Sequence, residues 1–253
     1  MWLVFWAIEL VNIIPEQRMN AVIKNVRRQL KKNSDKKVRE SAQNFFKEKV
    51  KHYGVRSAVV GRIAGEIFKT IKFKKKSEIF GLCDELWKSG YMEESFVACE
   101  WAYYLRKRYE PADFKVFDRW VNKYVGNWAS CDTLCNHTVG TFVEMYPEFL
   151  RRLKKWAKSR NRWARRAAAV SLILPARDGQ FLKDIFEIAD ILLRDPDDIV
   201  QKGYGWMLKA ASEVHQKEVF RYVINNVAAM PRTALRYAIE KMPKELKFKA
   251  MKK

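Results

Sequence analysis

Helical periodicity, sustained through most of the chain, is the strongest constraint on what this sequence can fold into. Phe181, Leu182, Ile185, Ile188, Ala189 and Leu192 recur at i, i+3, i+4 spacing, as do Val219, Phe220, Val223, Ile224 and Val227. No stretch alternates apolar and polar residues with the period of a strand. The interruptions are short: Asn33-Ser34-Asp35, Ser89-Gly90, Glu110-Pro111, Pro147, Ser159-Arg160-Asn161, Asp178-Gly179, Asp195-Pro196-Asp197 and Met230-Pro231. Each supplies a capping side chain or a proline at a helix start. The pattern predicts an all-α chain of about a dozen helices joined by small turns. Only 10 Gly and 7 Pro among 253 residues argue against a turn-rich β-sandwich.

A degenerate repeat is superimposed on the helices. Arg160–Ala167 aligns with Asp197–Tyr204 at an offset of 37 residues, and Arg232–Tyr237 continues the series. In each case a turn feeds a helix that begins polar or basic and continues with small and apolar residues. Helix pairs at such a period stack into an α-solenoid whose inner helices line a concave surface, so an α-solenoid of HEAT-like repeats is the expected architecture.

Charge narrows the partner. The chain carries 50 Lys+Arg against 29 Asp+Glu, a net charge of +21, while 48% hydrophobic residues supply enough apolar surface for a core and exclude disorder. From Arg151 to Arg166 there are nine basic residues and no acid, with Trp156 and Trp163 interleaved. Smaller clusters are Lys72–Lys76, Arg106–Arg108 and Lys244–Lys253. A single charge run is usually a solvated helix face. Here the runs fall beside helix starts, whose amide ends also attract phosphate, and the interleaved indoles suit contact with sugars or bases. Nucleic acid is the expected polyanion, and an armadillo-type protein scaffold need not be this basic.

Met1–Ile14 is strongly apolar but contains Glu9 and is too short to span a bilayer. It also lacks the basic start and small-residue cleavage site of a signal peptide. Residues 1–18 read as an N-terminal extension, from an upstream start or as a capping helix, ahead of a single domain over 19–253. Cys83, Cys99, Cys131 and Cys135 read as reduced, buried thiols rather than a disulfide framework. A cytoplasmic, monomeric protein without a membrane partner is expected.

Hydrolytic machinery of the usual kinds is missing. The histidines His52, His137 and His215 are scattered, and there is no glycine-rich phosphate loop or glycine-flanked serine. Cys131, Cys135 and His137 lie close in sequence but lack a fourth ligand, so no metal site and no cofactor are expected. His52 is expected to be a satisfied, partly buried side chain. The more informative group is Asn127-Trp128-Ala129-Ser130-Cys131-Asp132. Trp128 and Asp132 are four residues apart and share a helix face. A carboxylate there would repel DNA and must serve a purpose in a basic groove. Trp206, near the start of a later inner helix, could face the same groove or simply pack in the core.

The residues resemble the DNA alkylation repair family of HEAT-like-repeat alkylpurine DNA glycosylases (AlkD-like). The resemblance rests on His52-Tyr53-Gly54-Val55-Arg56-Ser57, on Glu85-Leu86-Trp87-Lys88-Ser89 with Glu93-Glu94, and on Asn127-Trp128 with Asp132. It continues through Asn161–Ala168, Val200–Trp206 and Pro231–Ile239, running from about Met19 to about Pro243 in the family's order. Ala58 stands where the family commonly has a proline, a change at a helix start.

This resemblance implies a solenoid that cradles duplex DNA and excises N3- or N7-alkylated purines, working from the backbone side of the duplex. By motif position the catalytic aspartate falls on Asp132, the active-site tryptophans on Trp128 and Trp206, and the active-site arginine on Arg166, with Arg165 adjacent. Expected DNA contacts are Arg56, Lys158, Arg162, Arg165, Lys202, Arg232, Thr233 and Arg236.

These residue types suit the chemistry. Alkylation makes the purine cationic and a good leaving group, so no general acid is needed. Breaking the N-glycosidic bond builds positive charge on the sugar, as in glycoside hydrolysis. A fixed carboxylate can stabilise that charge and orient water, indole faces add cation–π attraction, and Arg166 would hold a backbone phosphate in register. The alternative is a HEAT-like module that binds nucleic acid without catalysis, which would have no reason to keep Asp132.

Overall fold

The computed structural model describes the backbone of residues 15–252 and the side chains of residues 21–252; the expectation for Met1–Ile14 lies outside them. The first described helix, α1, is Pro15–Lys32. Among the described residues the structure is all-α, without strands apart from one backbone bridge between Lys51 and Tyr91. None of these helices is long and apolar enough to cross a membrane.

The chain divides after Leu105 into two compact units. The first holds α1, α2 (Lys36–Ala42), α3 (Ser57–Ile71), α4 (Lys76–Lys88) and α5 (Met92–Tyr104). Asp35 caps α2 by accepting from the Lys37 and Val38 amides at 2.8 and 3.2 Å. Val26 and Leu30 of α1 join Ile63, Ala64 and Ile67 of α3 and Leu82, Leu86, Val97 and Trp101 of α4 and α5 in the core. The Trp101 indole donates to the Ala64 carbonyl at 3.0 Å, so its polar edge is satisfied inside.

Two carboxylates are buried among the described residues of this unit, and they explain a motif whose purpose the sequence left open. Glu93 accepts from three successive amides, those of Tyr53, Gly54 and Val55, at 3.0, 2.8 and 3.0 Å. Glu94 accepts from the Tyr53 hydroxyl at 2.7 Å and from Arg27 Nε at 3.1 Å. The loop so held has Gly54 at φ 84°, and a Cβ there would lie 2.6 Å from the Asp35 carbonyl. The clamp fixes the entry into α3, leaving Arg56 exposed at its N-cap. His52 is half-buried as expected, but its Nδ1 is enclosed without a hydrogen-bond partner.

The second unit holds α6 (Phe114–Lys123), α7 (Trp128–Thr133), a π-helical stretch over Leu134–Val139, α8 (Gly140–Met145), α9 (Leu150–Ala157), α10 (Arg162–Val170) and α11 (Ile173–Arg177). It continues with α12 (Leu182–Leu192), α13 (Asp198–Ala211), α14 (Gln216–Asn226), α15 (Arg232–Ala238) and α16 (Lys244–Met251). Several are shorter than the sequence pattern implies. Phe181, placed in a helix by its periodicity, is instead the N-cap of α12 at φ 57°.

The three segments related by the weak repeat open α10, α13 and α15, and α13 packs against both of the others. Gly203 and Gly205 allow this. Two helical residues apart, they face roughly opposite sides of α13. A Cβ on Gly203 would stand 3.3 Å from Arg166 Cγ of α10, and one on Gly205 would stand 2.7 Å from Tyr237 Cβ and 2.8 Å from the Ala234 carbonyl of α15. Each glycine removes the one atom that would hold a neighbouring helix away.

Candidate functional site

The site grows from the starts of α7, α10 and α13. Asn127 opens α7, its side-chain oxygen accepting from the Ser130 amide at 2.9 Å. Trp128 is thus the first helical residue, half-buried, with Asp132 one turn later on the same face. Asn161 caps α10 through the Trp163 amide at 3.0 Å, and Asp197 caps α13 through the Ile199 amide at 3.1 Å.

Asp132 and Arg166, 34 residues apart, meet as a fork-to-fork pair. Arg166 Nε donates to Asp132 Oδ1 at 2.8 Å and Nη2 to Oδ2 at 2.7 Å. Arg166 Nη1 also donates to the Ile199 carbonyl of α13. The side chains are 13% and 6% exposed, and the guanidinium stem lies over Gly203. Burial pushes the Asp132 carboxyl above the ordinary aspartate value of 3.8, with the Arg166 charge pulling against it. Each carboxylate oxygen takes one N–H from Arg166, which leaves acceptor capacity on both.

The phosphate-holding role expected of Arg166 does not match this placement. Its guanidinium is turned inward onto a carboxylate and a backbone carbonyl rather than outward. Arg166, not Arg165, is the arginine at Asp132. Arg165 binds Asp195 through Nε and, at 3.2 Å, through Nη2, and its Nη1 reaches the Ser159 and Arg160 carbonyls at 3.1 Å. It joins the turn before α10 to the turn before α13. Arg162 pairs with Asp197 at 3.2 Å, its guanidinium 4.7 Å from the Trp163 ring centre.

The basic run is therefore partly internal. With Lys154, which pairs with Asp184 and Glu187 at 2.6 Å each, four of its nine cations (Lys154, Arg162, Arg165 and Arg166) hold carboxylates of this unit. Lys158 remains exposed at the end of α9. The two indoles of the run are also core groups: Trp156 and Trp163 are buried, and Trp156 donates to Asp118 at 2.6 Å while stacking on Phe114. The surface role suggested by their interleaving is corrected on that account.

Lys202, Arg232, Thr233 and Arg236 come together around an open depression of about 530 Å³ between α13 and α15, completed by Tyr237 and Glu240. Lys202 is partly tied to Asp198 at 3.3 Å, and Glu240 to Lys209 at 3.0 Å. Arg232 and Arg236 are exposed. Trp206 is half-buried on α13, three residues beyond Gly203. Arg56 belongs to the first unit and stands exposed at the start of α3.

Cys131 lies under the site. Its thiol contacts the Trp163 carbonyl at 3.7 Å, and burial, reinforced by Cys135, pushes its pKa well above the usual thiol range. A thiol held protonated is no nucleophile. All four cysteines are buried, and none forms a disulfide. No group of three or more His, Cys, Asp or Glu side chains placed to hold a metal ion occurs among the described residues. Reading residues alone missed the Ile199 carbonyl, Gly203 and Tyr237. The Gly-x-Gly spacing inside a helix was the available signal for two close helix approaches.

What these features define is an all-α protein with a buried, arginine-bound carboxylate beside a basic depression. The chain matches the DNA alkylation repair enzyme family over residues 26–242 and belongs to that family, which gives it a role in DNA repair. Among solved structures it is similar to one described as "Predicted DNA alkylation repair enzyme from Enterococcus faecalis", with a TM-score of 0.75 at 15% identity. That likeness covers 84% of this chain and 98% of the other, and at such identity it speaks for the fold. A comparison with curated proteins returns no match.

Proposed function

We propose that this protein is a monofunctional DNA glycosylase that hydrolyses the N-glycosidic bond of N3- or N7-alkylated purines in duplex DNA. The observation that carries the reading is the Asp132–Arg166 pair: a carboxylate fixed by two charge-assisted hydrogen bonds, one turn after Trp128, in a family that repairs alkylated DNA. Leaving-group activation is supplied by the lesion, because the alkylated purine already carries a positive charge. The enzyme's task is then to stabilise the sugar cation and present water. Asp132 has the charge for the first and the remaining acceptor capacity for the second.

Arg166 acts in this scheme as a positioning residue. It holds the carboxylate in one rotamer, so that no reorganisation accompanies the development of charge on the sugar. Trp128 and Trp206 offer indole faces to the cationic sugar or base, an attraction of about 0.5–2 kcal/mol each. The depression lined by Lys202, Arg232, Thr233 and Arg236 holds backbone phosphates, Lys158 adds a cation in the same unit, and Arg56 is a separate DNA contact of the first unit. Repeat-wise stacking of α10, α13 and α15 fits a HEAT-like solenoid, which we include in the proposal.

The test is release of free 7-methylguanine from alkylated duplex DNA by the wild type and by Asp132→Asn under single-turnover conditions. Base release by the wild type with a loss of about 10²-fold or more in the variant is expected. No release from any alkylated purine would refute the enzyme, and equal release by the variant would remove Asp132 from the mechanism.

A further inference from the structure

The first unit carries a feature that its own packing does not use. From the end of α3 to the first residue of α4 the chain reads Lys69-Thr70-Ile71-Lys72-Phe73-Lys74-Lys75-Lys76, five lysines in eight residues around one phenylalanine. Ile71 closes the core at 2% exposure, whereas Phe73, two residues later, is 88% exposed, the highest value among the described large hydrophobic residues. The core stripe of α3 (Val60, Ile63, Ala64, Ile67, Ile71) ends at the helix end, and the turn carries the next apolar side chain outward. Lys72 holds its ammonium 4.9 Å from the ring centre.

Cations outnumber acids here: between Glu66 and Glu78 the sequence holds five lysines and no carboxylate. Glu66 and Glu78 flank the segment, but Glu66 pairs with Arg62 at 3.3 Å. Glu78 pairs with Lys74 at 3.4 Å and accepts from the Lys75 amide at 3.0 Å. Lys69, Lys72 and Lys75 are exposed beside Phe73. An isolated ring ringed by cations is ill suited to a bilayer surface, which requires an apolar face of several residues. It suits nucleic acid, where cations take phosphates and an aromatic face lies against bases or sugars between them.

We infer that the Lys69–Lys76 turn is a second nucleic-acid contact, in which Lys72 and Lys75 engage backbone phosphates and the Phe73 ring packs on the DNA between them. The inference rests on the reading of DNA as this chain's polymer but is independent of base-release chemistry. It is tested by fluorescence anisotropy on an undamaged labelled duplex, with Phe73→Ser, Lys72→Ala/Lys75→Ala and Arg232→Ala/Arg236→Ala beside the wild type.

Phe73→Ser should bind the duplex roughly 5-fold or more weakly with an unchanged salt slope, since stacking is not electrostatic. The Lys72/Lys75 variant should lower the slope of log affinity against log salt by about 2. Both should keep the wild-type melting temperature, because neither alters a buried contact. Wild-type affinity in Phe73→Ser, with binding lost in the Arg232/Arg236 variant, would overturn the inference while leaving the proposed function intact. Absence of duplex binding by the wild type would overturn both. Sedimentation with vesicles of equal parts phosphatidylcholine and phosphatidylserine supplies the remaining arm: loss of vesicle binding in Phe73→Ser without change in DNA affinity would assign the turn to a membrane and refute the inference.

Discussion

Replacing Arg166 by Met isolates what the guanidinium does for Asp132. The substitution keeps most of the stem that lies on Gly203 but removes two charge-assisted hydrogen bonds, at 2.8 and 2.7 Å, and a donor to the Ile199 carbonyl. The carboxylate stays at 13% exposure without a counter-charge. Removing one partner of a buried ion pair costs about 3–5 kcal/mol, much of it the penalty of the orphaned charge. Removing the charge as well should restore part of that loss, so Asp132→Asn/Arg166→Met should be more stable than Arg166→Met alone. Recovery should be incomplete, because the Ile199 carbonyl loses the additional Nη1 donor in both.

The same reasoning fixes a pH dependence. In Arg166→Met only burial acts on Asp132, so its folded pKa rises further above 3.8, and the native state binds more protons than the unfolded state. Stability then falls as pH rises through the interval between the two values. The deficit of Arg166→Met against wild type should be largest near neutrality and shrink on acidification. Urea denaturation followed by circular dichroism at several pH values measures it. Strictly additive single-mutant losses, or a deficit independent of pH, would refute a coupled buried pair.

Other expectations follow from the same contacts. Gly205→Ala should destabilise by about 1–3 kcal/mol through a Cβ pressed against α15 at 2.7 Å, and Gly203→Ala by less, since its nearest contact is a side-chain carbon at 3.3 Å; thermal melting ranks the two. Glu93→Ala leaves three amides of the 53–55 loop unpaired and should cost about 2–5 kcal/mol by urea titration, with Glu93→Gln milder. The acid limb of single-turnover base release should have its midpoint above 3.8, because activity requires ionised Asp132 and burial raises its pKa; a limb at or below that value would contradict the environment described for it.

Much of the fold was legible because its signals are local. Asp35, Asn161 and Asp197 were readable as caps from their positions ahead of apolar periods, and all three accept from amides as caps do. Trp128 and Asp132 were legible as one helix face from spacing alone. What escaped were contacts made across the chain: the 34-residue reach from Arg166 to Asp132, and the two glycines that face different helices. The basic run misled for a related reason. Leu150, Leu153, Trp156 and Ala157 share one face at i, i+3 and i+4 spacing and belong to the core, a periodicity hidden by the density of surrounding charge. Likewise, a formal charge in sequence does not reveal that Arg162, Arg165 and Lys154 are already paired. Fewer of the nine cations between Arg151 and Arg166 are therefore available to phosphate than the run itself suggests.

The central claim is that Asp132, oriented by Arg166, stabilises a cationic sugar as an alkylated purine departs. Single-turnover release of 7-methylguanine, measured at saturating enzyme with wild type and Asp132→Asn, tests it most directly. The account predicts that the variant binds the damaged duplex as tightly as wild type but releases base about 10²-fold or more slowly. Equal rates for the two proteins would contradict it.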